Sequence, residues 1–312
     1  MSEVPLRVAV VGVGYLGRHH ARILSQLDGV ALVGIVDANR ARAEDIAATS
    51  GTRAYQDARE LLGQVDAITV AVPTEAHHAV ARPFLERGIA TLVEKPMART
   101  LEEADDLIST ARDSGAPLAI GHTERFNPAV AAALPLVTRP GFVEVHRLGT
   151  FPERSLDIDV VFDLMIHDLD ILLTAVPGEV TGIEAVGVPV LTGRVDIANA
   201  RLKFDSGCIA NLTASRISRE RVRKVRFFQP DTYLSIDYAT QEVERWALAR
   251  HEGTMPRIEG GKLEIARDEP LRLELQDFAR VARTRSTPRV TGQHGRRALA
   301  LAQRITDRIA EG

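Results

Sequence analysis

The chain has 312 residues, enough for two domains with sizeable cores. Hydrophobic residues make up 45% and charged residues 26%, ordinary for a globular protein, and a formal net charge of −3 gives no general pull toward nucleic acid or anionic membrane. No apolar run approaches the roughly 20 residues that span a bilayer, and the single cysteine, Cys208, excludes an intrachain disulfide, so a reducing, cytoplasmic setting is expected.

In chain order, the opening "MSEVPLRVAVVGVG" runs its apolar stretch straight into a glycine motif, which argues for a buried strand rather than a signal peptide. "YLGRHHARILSQL" then has helical spacing through Leu16, Ile23, Leu24 and Leu27. "ALVGIVD" reads as a strand, "ANRARAEDIAATS" as a helix, "AITVAVP" as a strand and "EAHHAVARPFLERG" as a helix. "ATLVEKP" is a further strand, followed by a helix from "LEEADDLISTARDSG" with Thr100 as N-cap and Gly115 beyond its end, and by the strand "PLAIGH". Strands and helices alternating at this length indicate βαβ units and a parallel sheet. The expected class is α/β, with a Rossmann doubly wound domain over residues 1–122.

Beyond about residue 122 the alternation changes to period two. "GFVEVHRLGT", "VDIANARLKFDSGCIANLTAS", "RVRKVRFFQP" and "TYLSIDYATQEVERWAL" read as strands, with a turn at Asp205-Ser206-Gly207. Residues 123–312 are therefore expected to form a second, α+β domain with an open, largely antiparallel sheet. Helices around "LRLELQDFARVARTR" and "HGRRALALAQRITDRIA" close the chain, the last one (294–310) able to pack back on the first domain. An exposed sheet would suit a homodimer or homotetramer.

Gly12, Gly14 and Gly17 form G-x-G-x-x-G between a strand and a helix. The first glycine permits the tight turn, the second lets backbone approach a pyrophosphate, and the third lets helix pack on strand. A tight turn without ligand meets the same spacing. Asp37, ending the second strand, adds an acid where a ribose diol would bind and favours NAD; Arg40 nearby leaves NADP open. "AVPTEAHH" ends a strand with Pro73 and Thr74, then His77 and His78, which could equally be surface histidines after a turn. In "VEKP", Glu94 and Lys95 end an apolar strand where side chains face a ligand crevice, with an exposed strand-end lysine as the plainer reading.

These marks, in order, resemble the Gfo/Idh/MocA oxidoreductases over nearly the whole chain: Gly12-Val-Gly14-Tyr15-Leu16-Gly17, Pro73-Thr74 with His77, Glu94-Lys95-Pro96, and Asp163-Leu-Met-Ile-His167-Asp168-Leu-Asp170. The resemblance implies oxidation or reduction of a secondary hydroxyl of a sugar, cyclitol or nucleotide sugar with NAD or NADP. It matches Lys95 to the family's catalytic lysine, and Asp163 and His167 to its conserved aspartate and histidine. One departure is Met165, where many members have glycine. "HTERFNPA" beside "DLMIHDLD" resembles members acting on UDP-N-acetylglucosamine at its 3-hydroxyl. Dehydrogenation of inositol or a free sugar, or a non-catalytic nucleotide-sensing role, are the alternatives.

Asp163 and His167 lie four apart, one turn on a helix, so the acid can orient the imidazole that serves as base. At 100° per residue Asp163, His167 and Asp170 fall within an arc of about 60°, and Asp168 points elsewhere. A buried polar stripe with structural hydrogen bonds is the alternative; a metal is not expected, since no further ligand cluster is in view. Within "IGHTERFNPAV", Arg125 and Asn127 are candidate substrate ligands alongside Lys95, Asp163 and His167, or else a hinge held by an arginine salt bridge. The basic run Arg216 to Arg226 could take a nucleotide-sugar pyrophosphate, or be a strand with a solvated face; nucleic acid is not expected at this net charge. Cys208 reads as a small core residue.

Overall fold

The computed structural model describes residues 4–151, 158–250 and 255–312. The chain divides into two compact units, one made of Met1–Thr123 and Glu269–Arg296, the other of Glu124–Asp268 and Arg297–Gly312. The first unit thus takes back a late segment that a single cut near residue 122 assigns to the second.

In the first unit, β1 (Leu6–Val11), β2 (Val30–Val36), β3 (Ala54–Tyr55), β4 (Ala67–Val70), β5 (Ala90–Glu94) and β6 (Leu118–Gly121) form one sheet in the order β3-β2-β1-β4-β5-β6, and every pairing is parallel. Apolar runs such as "AITV" are buried at all positions because helices cover a parallel sheet on both faces. The connections are α1 (Gly17–Leu24), α2 (Arg40–Thr49), α3 (Thr74–Leu85) and α4 (Leu101–Ser114). Thr100 Oγ1 accepts from the Glu103 amide at 3.2 Å, and Gly115 ends α4 in the left-handed region at φ 67°, as the capping pattern requires. The order reverses between β1 and β4, and ligands of such sheets bind at that point, outside the carboxyl ends of the strands.

The second unit has an eight-stranded sheet. Its strands are β7 (Phe142–Leu148), β8 (Val180–Val188), β9 (Ile197–Phe204), β10 (Ile209–Ser215), β11 (Val222–Gln229), β12 (Thr232–Asp237), β13 (Glu242–Ala249) and β14 (Arg257–Lys262), in the order β14-β13-β12-β11-β7-β10-β9-β8. Only β7 with β10 is parallel. Alternation leaves one face in the core and the other polar; Val143, Val145, Leu212, Val225 and Phe227 point inward. On that face pack α5 (Pro128–Ala133), α6 (Ile166–Ala175) and the later part of α8 (Gly292–Glu311). The hairpin β9–β10 turns where it was expected, with Gly207 at φ 86° and Cys208 buried in the core, its thiol pushed up to about 11 by burial. The Pro270–Thr284 helix, α7, belongs to the first unit. Short strand β3 and the edge strands β8 and β14 carry weak patterns and escape a reading by periodicity.

Candidate functional site

The glycine loop shows its chemistry through what a side chain would meet. Gly12 has φ 86°, and a Cβ there would lie 2.7 Å from the backbone of Ala71 and Val72. At Gly17 a Cβ would lie 1.8 Å from the Gly12 carbonyl oxygen, so this position closes strand on helix. Gly14 differs: a Cβ there meets nothing within 4 Å, which leaves open space over the backbone at the start of α1. That cradle, ahead of a helix N-terminus, fits the pyrophosphate of a dinucleotide. Tyr15 is exposed and Leu16 half-buried, with the Arg18 guanidinium 4.9 Å from the Tyr15 ring centre.

Asp37 follows β2, and its carboxylate is aimed by backbone: the Val13 amide donates to it at 2.9 Å and the Asn39 amide at 2.8 Å. The guanidinium on it belongs to Arg42, bidentate at 3.1 and 2.7 Å; Arg40 pairs instead with Glu44. Burial opposes the charge on Asp37, but the Arg42 and backbone hydrogen bonds outweigh it and hold the carboxyl below its usual range.

Pro73 precedes α3 and Thr74 begins it, just past the end of β4. His77 is fully buried, with Nδ1 2.9 Å from the Pro96 carbonyl oxygen and Nε2 2.9 Å from that of Val72. It ties the loop after β4 to the loop after β5, which makes it a brace of the crevice wall. Burial, partly offset by these carbonyls, lowers its pKa. Lys95 is half-buried and joined to Pro96 by a cis peptide bond. Glu94, beside it, is buried with His20 Nε2 3.1 Å from Oε1, and its carboxyl fills the space a side chain at Gly121 would need. Glu274 of α7 is also buried, accepting from Thr123 Oγ1 at 2.9 Å; burial and the neighbouring Glu94 charge push its pKa well up. Glu274 carries no sequence signal, because a lone buried acid on an amphipathic helix resembles any other polar position.

In the second unit, Asp163 lies in a π-helical turn (Val161–Met165) that runs into α6, and Asp163 and His167 are both half-buried. Such turns are frequent at functional sites, and they break the uniform 100° count on which the expected stripe rested. Asp170 does not share the accessible edge: it is buried, with Arg125 Nη1 3.5 Å from Oδ1. Asp168 is buried too, holding Arg147 of β7 bidentately at 2.6 and 3.0 Å, while Glu124 accepts from the same arginine at 3.1 Å. Burial opposes the charge on Arg147, but the Asp168 and Glu124 carboxylates outweigh it and hold the guanidinium above arginine's usual value. Met165 is in the core.

Arg125 and Asn127 have structural partners. Arg125 bonds Thr174 Oγ1 as well as Asp170. Asn127 caps α5 through the Ala129 amide at 3.1 Å, and its amide nitrogen donates to the Tyr238 carbonyl at 3.0 Å. Arg216, at the start of the basic run, is fully buried against Asp196 at 2.8 Å. Among the described residues no three His, Cys, Asp or Glu side chains gather as a metal site, and no helix is long and apolar enough to cross a membrane.

Comparison with known proteins matches residues 6–122 to the oxidoreductase family with an NAD-binding Rossmann fold and residues 146–229 to the GFO/IDH/MocA C-terminal domain. The chain is 38% identical over 306 residues, 97% of its length and 96% of the relative's, to UDP-N-acetylglucosamine 3-dehydrogenase of Acidithiobacillus ferrooxidans. A solved structure of that enzyme superposes with a TM-score of 0.91 at 36% identity, covering 98% of each chain. A scyllo-inositol 2-dehydrogenase (NAD(+)) of Bacillus subtilis is 28% identical over 93% of this chain and 90% of its own.

Proposed function

Since the chain belongs to the Gfo/Idh/MocA oxidoreductase family, we propose that it is an NAD-dependent dehydrogenase oxidising the 3-hydroxyl of UDP-N-acetylglucosamine to the 3-keto sugar. The observation that carries this reading is the near-full-length similarity to a dehydrogenase of that name. The cytoplasm, with its nicotinamide pool and reduced thiols, is the compartment that suits it.

Oxidising a secondary alcohol removes a hydride from carbon and a proton from oxygen, and bound NAD supplies the hydride acceptor. Gly12, Gly14 and Gly17 would hold its pyrophosphate, and Asp37 would take the ribose diol. Pro73, Thr74, Glu94 and Lys95 stand at the carboxyl ends of β4 and β5, braced by His77. His167 accepts the hydroxyl proton on its imidazole, and Asp163 stabilises the imidazolium. The Lys95 ammonium stabilises negative charge developing on the substrate oxygen. Arg125 and Asn127 fix α6 and α5 beside the substrate.

The polar face of the eight-stranded sheet carries a cross-strand row, Phe142, Phe228, Tyr233 and Trp246, in register on four neighbouring strands. Phe228 and Trp246 are exposed, and this row supports assembly as a homodimer or homotetramer through that face.

Incubation with NAD and a panel of UDP-N-acetylglucosamine, inositols and free sugars, followed by NADH absorbance, tests the substrate. UDP-N-acetylglucosamine is expected to give the highest kcat/KM. Preference for an inositol would favour the second reading, supported by the Bacillus subtilis relative. Tight NAD binding without turnover of any compound would point to a sensor.

A further inference from the structure

The basic run resolves into two sets by strand parity. Lys224 and Arg226 of β11 face the polar side of the sheet, and each has an acid: Asp237 lies 3.3 Å from Lys224 Nζ, and Glu144 lies 2.6 Å from Arg226 Nη1. Val225 and Phe227 face the core, so Arg223, two residues before Val225, projects on the helix-covered side at the end of the strand.

Arg223 sits directly opposite Arg147 in the β7–β11 register. Like charges facing across a ladder are destabilising. The carboxylates at hand, Asp168 and Glu124, are both bonded to Arg147. Arg223 makes no side-chain hydrogen bond or ion pair among the described residues. The Arg223 side chain is exposed; desolvation of its inner part and the Arg147 charge lower its pKa, against the opposing pull of the Glu124 and Asp168 carboxylates. Arg221, two residues earlier, has Thr150 Oγ1 as a neutral partner at 3.3 Å. The strand end is also the start of the catalytic segment: Ile158, shortly before the π-helical turn, accepts from Arg216, which follows β10 at this same end of the sheet. Asp168, which holds Arg147, is the residue after His167.

We infer that Arg223, with Arg221 beside it, is the diphosphate-recognising pair of the second unit, receiving the pyrophosphate of a nucleotide-sugar substrate. The inference rests on the nucleotide-sugar reading above and goes further by naming the residues that separate such a substrate from a neutral cyclitol. A planar guanidinium donates two parallel hydrogen bonds to phosphate oxygens, and an anion there would also offset the repulsion between Arg223 and Arg147.

Calorimetric titration of the full-length protein with UDP, and separately with inorganic pyrophosphate, tests it. Arg223→Ala is expected to weaken UDP binding about ten- to hundredfold, the range for hydrogen bonds to charged groups, and to raise KM for UDP-N-acetylglucosamine in parallel. Arg223→Lys should recover part of the loss, since it keeps the charge but not the fork. NAD affinity should be unaffected, and Arg201→Ala, on the polar face beside Asn211, is the control for general charge. Unaltered UDP affinity in Arg223→Ala, or equal losses in Arg223→Ala and Arg201→Ala, would overturn the assignment, as would failure of the native protein to bind UDP. If UDP binds and the Arg223→Ala loss holds while UDP-N-acetylglucosamine is not oxidised, the anion site stands and the substrate reading falls.

Discussion

In the first unit Asp37 meets Arg42, but Glu94, Glu274 and His20 gather with few donors, whereas in the second each buried aspartate, Asp168, Asp170 and Asp196, meets an arginine. A buried pair of opposite charges is a cross-link whose loss strands its partner. Glu274, buried beside the Glu94 charge, is instead pushed toward keeping its proton. The first unit consequently offers its ligand mostly backbone, through the glycine loop and strand ends, with ionisable groups hidden behind. The second offers side chains, and spends arginine–carboxylate pairs on holding α6 where Asp163 and His167 emerge.

The largest expected effect separates the two tasks. His167→Ala should lower turnover by about two to four orders of magnitude, the usual contribution of a positioned acid or base, while NAD affinity measured by fluorescence stays within experimental error. Near-normal turnover would remove His167 as the base. Next, Asp168→Ala leaves Arg147 buried with only Glu124, and should cost about 3–5 kcal/mol in urea denaturation. If it costs less than a comparable change at Glu274, the contrast between the units fails.

Glu274→Gln should act in the opposite direction. The folded-state pKa of Glu274 is raised, so its stabilising proton is fully in place below the unfolded value of about 4.3 and the contribution is lost as pH rises through the folded value. Glutamine removes that loss. Its Tm should match that of the native protein near pH 4 and exceed it increasingly toward pH 8. A constant difference across pH would show that Glu274 is not held protonated. The smallest effect concerns Arg42, whose half-exposed side chain pairs with Asp37. Arg42→Ala should free Asp37 for a ribose diol and shift the ratio of NAD to NADP affinity toward NAD by about two- to fivefold, the scale of a surface ion pair. An unchanged ratio in competitive binding would separate Arg42 from cofactor choice.

Much of the first unit was legible in the sequence because its signals are local: a buried strand, a glycine spacing and an acid at the next strand end. Asp37 appeared that way, but its partner did not. Arg40 looked nearer, yet one turn of α2 brings Arg42 back onto the carboxylate and sends Arg40 to Glu44. In the second unit the motif around Asp163 and His167 was visible, while the roles of its neighbours were not. Helical arithmetic placed Asp170 on the accessible edge; a π-helical turn at 161–165 and the pull of Arg125 put it in the interior. Asp168 pairs with Arg147 across 21 residues of chain, and nothing in the spacing of either announces it. Long-range charge pairing is decided by tertiary register, so the sequence offers the charges without their partners.

UDP-N-acetylglucosamine carrying deuterium at the sugar C3 gives the most direct measurement. Incubated with NAD and the protein, it should yield deuterated NADH by mass spectrometry together with the 3-keto sugar, with lower turnover than the unlabelled compound if hydride transfer limits the rate. Reduced cofactor without deuterium, or none formed while an inositol is oxidised, would contradict the account.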